Sequence, residues 1–262
     1  MNRTAMSVVA IALLLIVAGF FLLGADEPQI TQQNNDVTPV VVSEPQAADL
    51  EPVAIEPEFE QNSEVVIELD LMAAPATLND SDGAVTKVIA GLSAKALLWM
   101  VPEEQIRRWV QFVDNLADGV VISKNRPLKF NMGKLPVDSK GGKTYLSPQA
   151  YGRATLLVDT FVAIPPEMLA AYLYRWNGIV EQAYKELGRR GKFKQRVVLA
   201  IDKLLAVELP ESPPELHRPS VMYVYADENL EKSNDVTKLL IRLGPQNTQK
   251  LQAYLSQLKE AL

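Results

Sequence analysis

The sequence predicts a mostly α-helical fold in three parts: an N-terminal transmembrane helix, a disordered acidic linker rich in proline, and a single helical domain with a small two-stranded ribbon. Three observations support this prediction. Residues 6–24 carry no charge, residues 25–76 contain twelve acidic residues and no basic one, and the later residues repeat apolar side chains at helical spacing. The predicted boundaries are 1–24 for the tip and anchor, 25–76 for the linker and 77–262 for the domain.

The uncharged run is nineteen residues long, so as a helix it would extend about 28 Å, close to the thickness of a hydrocarbon core. Arg3 precedes the run, Asp26 and Glu27 follow it, and the next basic residue is Lys87. The positive-inside rule therefore places the N-terminus in the cytoplasm and the remainder outside it. A cleaved signal peptide is the alternative, although Leu23 occupies a position where such signals have a small residue. Both interpretations export the domain.

The linker at residues 25–76 is too acidic and too rich in proline to bury a core, which predicts a disordered tether. A short run with Ile67, Leu69 and Leu71 alternates apolar and acidic residues, so docking as an edge strand remains an alternative there. Without Arg3 and the twelve linker acids, the 26 basic and 32 acidic residues of the chain become 25 and 20. The domain thus carries a net charge of about +5, and the acidity belongs to the tether.

Apolar stripes predict the helices of the domain. The longest stripe, at residues 168–187, opens at Pro165-Pro166, closes at Gly188 and predicts one helix of more than five turns. Further helices are predicted around residues 106–116, 151–161, 197–205, 236–243 and 251–258. Two β-branched runs, at residues 120–122 and 221–225, predict the ribbon.

Catalytic motifs are scarce. Gly142-Lys143-Thr144 resembles the end of a phosphate-binding loop, but Val137 stands where that motif needs glycine, so a turn is predicted. His217 is the only histidine and lies among prolines, which predicts a loop residue without a chemical role. A histidine-based metal site would lack a second imidazole, and no serine lies in a nucleophile elbow. The sequence therefore predicts no cofactor, no metal and no nucleic-acid partner.

Charged residues on helices that otherwise look buried are the candidates for chemistry. Asp114 and Asp159 are the candidate carboxylate pair of a hydrolase, because burial and pairing shift pKa values toward the useful range. Helix caps and interhelical salt bridges are the alternative interpretation. The other charged residues of this kind are Arg153, Glu181, Asp202, Lys238 and Arg242.

The densest basic cluster surrounds Gly188 and Gly191. Its members are Arg189, Arg190, Lys192, Lys194 and Arg196. Such a cluster is either a solvated corner or an anion-binding patch for a polyanion.

Several motifs follow one another in a fixed order along the domain. They are the runs 113–119, 151–153, 183–188, 201–205 and 223–227, followed by Leu230, Glu231, Lys238, Arg242, Gly244 and Asn247. Together they resemble the bacterial family called domain of unknown function 3014 (DUF3014). The resemblance extends from about residue 78 to residue 262 and departs from the family pattern at Ala154, Asn177-Gly178, Glu228 and Thr237. It implies a bacterial envelope protein with an anchor, a tether and a domain, and it implies no activity.

Together these features predict a single-pass protein of the bacterial inner membrane whose periplasmic domain is a binding or scaffolding module. Its expected partners are the membrane, through its own anchor, and another envelope protein or a polyanion. The alternative is an envelope hydrolase that uses a carboxylate pair in a helical cleft. Two carboxylates facing one open pocket would favour the hydrolase, whereas aspartate and arginine paired across a closed helix interface would favour the scaffold.

Overall fold

A computed structural model describes residues 71–131 and 133–262, so the predicted anchor and nearly all of the predicted linker lie outside the described residues. A short 3-10 turn, Ala96–Leu98, follows the first helix. The α-helices of the described residues are α1 (Asp82–Leu92), α2 (Gln105–Ala117), α3 (Pro148–Gly152), α4 (Thr155–Val162), α5 (Pro166–Arg175), α6 (Asn177–Glu186), α7 (Phe193–Leu205), α8 (Glu228–Lys232), α9 (Asp235–Leu243) and α10 (Pro245–Glu260).

The main core lies among the helices. Helix α2 packs on α6 and α7, and α10 packs on α4, α5, α7 and α9. The largest fully buried side chains include Trp109, Phe161, Trp176 and Phe193. Each such side chain contributes roughly 1.5–3 kcal/mol through removal of apolar surface from water. The predicted mostly helical fold is therefore confirmed for this part of the chain.

A four-stranded antiparallel sheet replaces the predicted ribbon. Its strands are β1 (Val137–Lys140), β2 (Lys143–Leu146), β3 (Glu215–His217) and β4 (Val224–Tyr225), paired in sequence order. One face buries Leu146, Leu216 and Tyr225 in a second, smaller core that also contains Ile241 of α9. The predicted strand at 221–225 is confirmed only for its last two residues.

The predicted strand at residues 120–122 is wrong. The N–H of Val120 donates to the main-chain oxygen of Asn115 at 2.9 Å, and the N–H of Val121 donates to the carboxylate of Asp235 at 3.1 Å. These amides therefore bond to the end of α2 and the start of α9, and no strand partner is left for them. Burial of Val121, not pairing, explains the β-branched run.

The single long helix predicted over residues 168–187 is also wrong, because it breaks into α5 and α6 at Trp176. Trp176 has φ −102° and ψ 12°, outside the helical well, and Asn177-Gly178 directly follow it. The indole is fully buried, and its Nε1 donates to the main-chain oxygen of Met72 at 3.1 Å. The core thus fixes the tryptophan at the break, while both halves keep the predicted buried face.

Residues 71–75 lie against α5. The N–H of Met72 donates to the Tyr172 hydroxyl at 3.4 Å, which complements the bond from Trp176.

The first helix was missing from the sequence prediction, although Val85, Val88 and Ile89 supply a short buried stripe. Within residues 71–131 and 133–262, no single helix is long and apolar enough to span a bilayer. The helical segments 148–162 and 166–175 together have the length and composition of a membrane span, but they are bent by 64° relative to each other.

Candidate functional site

Asp114, one of the two candidate catalytic carboxylates, lies in an ion-pair network between α2 and the start of α7. Its side chain is 5% exposed. Oδ2 accepts from Nε of Arg189 at 2.8 Å, and Oδ1 lies 2.6 Å from Nε of Arg196. Asp118, one helical turn further along α2, contacts both arginines, at 2.9 Å and 2.6 Å. Each arginine therefore bridges both aspartates, and the four charges cancel.

The chain path explains why these four residues meet. Asp114 and Asp118 are spaced i, i+4, which puts both carboxylates on one side of α2. Gly188 and Gly191 have φ values of +71° and +92°, which L side chains rarely adopt, and they turn the chain between α6 and α7. The turn brings Arg189 next to α2, and α7 presents Arg196 one helical turn after its own start.

Charge attraction and hydrogen bonding outweigh the cost of burial in the network. The hydrogen bond from Arg196, together with the charges of both arginines, outweighs desolvation and lowers the pKa of Asp118. Desolvation works to lower the pKa of Arg196, but the bond to Asp118 and both carboxylate charges raise it overall. Although Nε of Arg196 is close to Asp114, its N–H points away from the carboxylate, and the guanidinium instead donates to the main-chain oxygen of Asp114 at 2.6 Å. Charge attraction and a main-chain bond therefore hold this pair together.

The predicted basic cluster divides into two groups. Arg189 and Arg196 belong to the network, and Lys194 donates to the main-chain oxygen of Leu262 at 2.6 Å. Arg190 and Lys192 are exposed, and neither side chain forms an ion pair within the described residues. The two free cations are too few for the five-residue patch that the sequence suggested, because the other three bind groups of the protein itself.

Asp159, the second candidate carboxylate, lies on α4 and pairs with Lys250 of α10 at 2.8 Å; both side chains are about half exposed. The structure does not bring Asp159 into the network of Asp114, since none of its contacts is shared. Three other predicted residues also bridge separate elements. Glu181 accepts from the N–H of Phe193 at 2.9 Å, Asp202 pairs with Lys259 at 2.6 Å, and Lys238 pairs with Glu231 at 3.3 Å.

Two open grooves, each of about 420 Å³, lie elsewhere. The first runs between α1 and α5 and is lined by Met72, Lys87, Val88, Gly91, Leu92, Met168 and Tyr172. The second lies at the sheet and is lined by Gly142, Lys143, Thr144 and residues 215–219. Neither candidate aspartate lines either groove. Among the described residues, no group of three or more His, Asp and Glu side chains could hold a metal ion.

The motif residues near the C-terminus meet around the second core. Nδ2 of Asn247 donates to the main-chain oxygen of Tyr151 at 2.9 Å, and the Arg242 guanidinium lies 5.8 Å from the centre of the Tyr225 ring. The N–H of Tyr225 donates to Glu231 at 2.9 Å. Burial raises the pKa of Tyr225. These residues join the sheet to α3, α9 and α10, which is a structural role.

Sequence reasoning missed Asp118 and the sheet groove. The signal for Asp118 was its i, i+4 spacing from Asp114, opposite a basic cluster. No sequence signal placed Lys143 beside His217, since 74 positions separate them and only strand pairing joins them.

Comparison with known proteins identifies one family. A family model described as protein of unknown function (DUF3014) matches residues 105–259, which is more than half of the chain. In the same comparison, neither a curated protein nor a solved structure matches the chain.

Proposed function

The chain belongs to the DUF3014 family of proteins of unknown function, and we propose that it is a binding or scaffolding module held at the periplasmic face of the bacterial inner membrane. The closed network of Asp114, Asp118, Arg189 and Arg196 is the observation that carries this proposal. Its charges hold α2 to α7, and although Arg189 and Asp118 are 47% and 41% exposed, their charged groups are paired with each other. A rigid helical surface with neutralised internal charges suits recognition better than proton transfer.

A hydrolase needs an acid or base within hydrogen-bond reach of a substrate in an open cleft. Asp114 is buried, and its two carboxylate oxygens lie 2.8 Å and 2.6 Å from Nε of Arg189 and Nε of Arg196, so little of it is open to a substrate. Asp159 is accessible, but it pairs with Lys250 at the surface and lines neither groove. The geometry therefore supports the binding module over the hydrolase.

The membrane location is supported by the sequence. The uncharged run at 6–24 is long enough to span a bilayer. Residues 25–76, which follow it, contain acidic but no basic residues, as the positive-inside rule expects of a segment outside the cytoplasm. Alkaline phosphatase fused after residue 76 should be active, and a fluorescent protein that matures only in the cytoplasm should be dark at the same position. The opposite pattern would contradict the orientation.

Retention of the anchor is tested separately. The mature protein should keep its N-terminal mass and stay in the membrane fraction after a carbonate wash. A shortened, soluble species would show that residues 6–24 are a cleaved signal. In that case the binding module would remain, but its membrane attachment would not.

The binding part of the proposal is tested by site-specific photo-crosslinking in the intact envelope. Leu98 and Val221 are suitable positions, because they are large apolar side chains that are 79% and 63% exposed. A module with a defined partner should give a discrete adduct from at least one exposed position. The same two positions without ultraviolet illumination serve as the control, from which an adduct is not expected.

A further inference from the structure

The sheet carries a row of basic side chains on its solvent face. The register pairs Lys140 of β1 with Lys143 of β2, and Thr144 of β2 with Leu216 of β3. The next position along the second pairing sets Lys143 opposite His217. Because directly opposite residues of an antiparallel pair share a face, all three basic side chains point to the same side, about 5 Å apart from strand to strand.

This row borders the sheet groove of about 420 Å³, which we call the basic groove: Gly142, Lys143, Thr144 and residues 215–219. Arg218 adds a guanidinium group, whose Nε donates to the main-chain oxygen of Val221 at 3.3 Å. Its guanidinium also lies 5.4 Å from the centre of the Tyr223 ring. The remaining N–H groups of Arg218 are left for a ligand.

One carboxylate, Glu215, faces this row. It lies 2.8 Å from Nζ of Lys143 and 3.5 Å from Nε2 of His217. The bond from Lys143 lowers the pKa of Glu215, so the carboxylate is charged at neutral pH. Asp138, two residues before Lys140 on β1, is exposed on the same face by strand alternation.

Folding alone does not favour this arrangement. Like charges placed directly opposite each other destabilise a sheet. Glu215 pairs with Lys143 and His217, and neither Lys140 nor Arg218 forms an ion pair within the described residues. The other face of the same strands is apolar and buried, so the sheet needs no basic residue for its packing. The hairpin turn at Gly141-Gly142 has open space around it, because an added Cβ would meet no atom within 4 Å at either position. A ligand can therefore approach the main chain closely.

We propose that the basic groove binds phosphate groups, with Lys143, His217 and Arg218 as the principal contacts and Lys140 at its edge. A phosphate monoester carries nearly two negative charges, which is enough to overcome the repulsion by Glu215, and its oxygens match the guanidinium fork. This inference goes beyond the proposed function and does not depend on it. The groove shares no lining residue with the Asp114 network or with the basic cluster around Arg190.

The test measures binding of inorganic pyrophosphate to the full-length protein in neutral-lipid nanodiscs by calorimetry at low salt. Glu215→Gln should tighten binding about fourfold, the effect of one charge at roughly 5 Å in a water-like dielectric. Lys143→Gln combined with His217→Gln should weaken it by at least about fourfold for the same reason. The gain with Glu215→Gln cannot come from unfolding, which would only remove binding.

Arg190→Gln combined with Lys192→Gln is the matched control, because it removes two exposed cations elsewhere and should leave pyrophosphate binding unchanged. Dihexanoyl-phosphatidic acid, whose headgroup is a phosphate monoester, separates the two sources of phosphate when it is used below its micelle concentration. If Glu215→Gln strengthens binding of this lipid as well, the ligand is a headgroup; if only pyrophosphate responds, it is a free phosphate compound. Absence of binding by both probes, or equal losses in the two double variants, would overturn the proposal.

Discussion

Replacing Asp114 by Asn is predicted to destabilise the domain by about 1.5–4 kcal/mol. Asparagine has nearly the same shape, so the change removes the charge and leaves two guanidinium groups facing an amide. Arg189 is 47% exposed, and its pair contributes only about 0–1 kcal/mol. Arg196 is 17% exposed, so loss of its charged partner costs about 1.5–3 kcal/mol. The sum is a large part of a typical stability of about 5–15 kcal/mol.

The assay is urea unfolding of residues 71–262, followed by circular dichroism and extrapolated linearly to water. Asp159→Asn is the matched control. It removes the same group from an ion pair with Lys250 whose two members are about half exposed, and should cost about 0–1 kcal/mol. Equal losses for the two variants, or a loss below about 0.5 kcal/mol for Asp114→Asn, would refute the view that the network holds α2 to α7.

Three further predictions concern other parts of the domain. Trp176→Ala should lower the free energy of unfolding in urea by about 3–5 kcal/mol, because the indole is fully buried and the hydrogen bond of its Nε1 is lost. An unchanged urea midpoint would show that Trp176 lies outside the core. Gly244→Ala should cost about 2–5 kcal/mol in thermal melts, because Gly244 has φ +80° and ψ 165° and an added Cβ would clash with the Tyr151 ring. The pKa of Asp118 is lowered in the folded protein, so its carboxylate adds to the free energy of unfolding above about pH 4, and this gain is lost as the pH falls through the folded pKa. The difference in the free energy of unfolding between the wild type and Asp118→Asn should therefore shrink from pH 7 to pH 3.

The helices were predictable because their signals are local. The end of α9 is an example: an apolar stripe stops at Gly244-Pro245, and the structure ends the helix at Leu243. The break at Trp176 was missed because the apolar spacing continues across it. Asn177-Gly178 were a weak local signal, and a tertiary contact of the indole holds the tryptophan outside the helical well. The same limit explains residues 120–122, whose amides are satisfied by Asn115 and by the distant Asp235.

The candidate site was predictable in its residue types but not in its pairings. Asp114, Arg189 and Arg196 were all candidates, yet nothing in the sequence shows that they neutralise each other. His217 was predicted to lie in a loop, and that prediction is wrong because it lies on β3 opposite β2. Long-range strand pairing has no local signal here, because β2 and β3 are short and about 70 residues apart.

Photo-crosslinking in the intact envelope tests the central claim of a binding module most directly when it is combined with the carboxylate variants. A crosslinker at Leu98 or Val221 should give one discrete adduct with the same partner, and Asp159→Asn should leave its yield unchanged, since a surface ion pair has no part in recognition. Two results together would contradict the claim and favour the hydrolase. The exposed positions would label many proteins without a discrete adduct, and the purified protein would hydrolyse an envelope polymer in a reaction that Asp159→Asn abolishes.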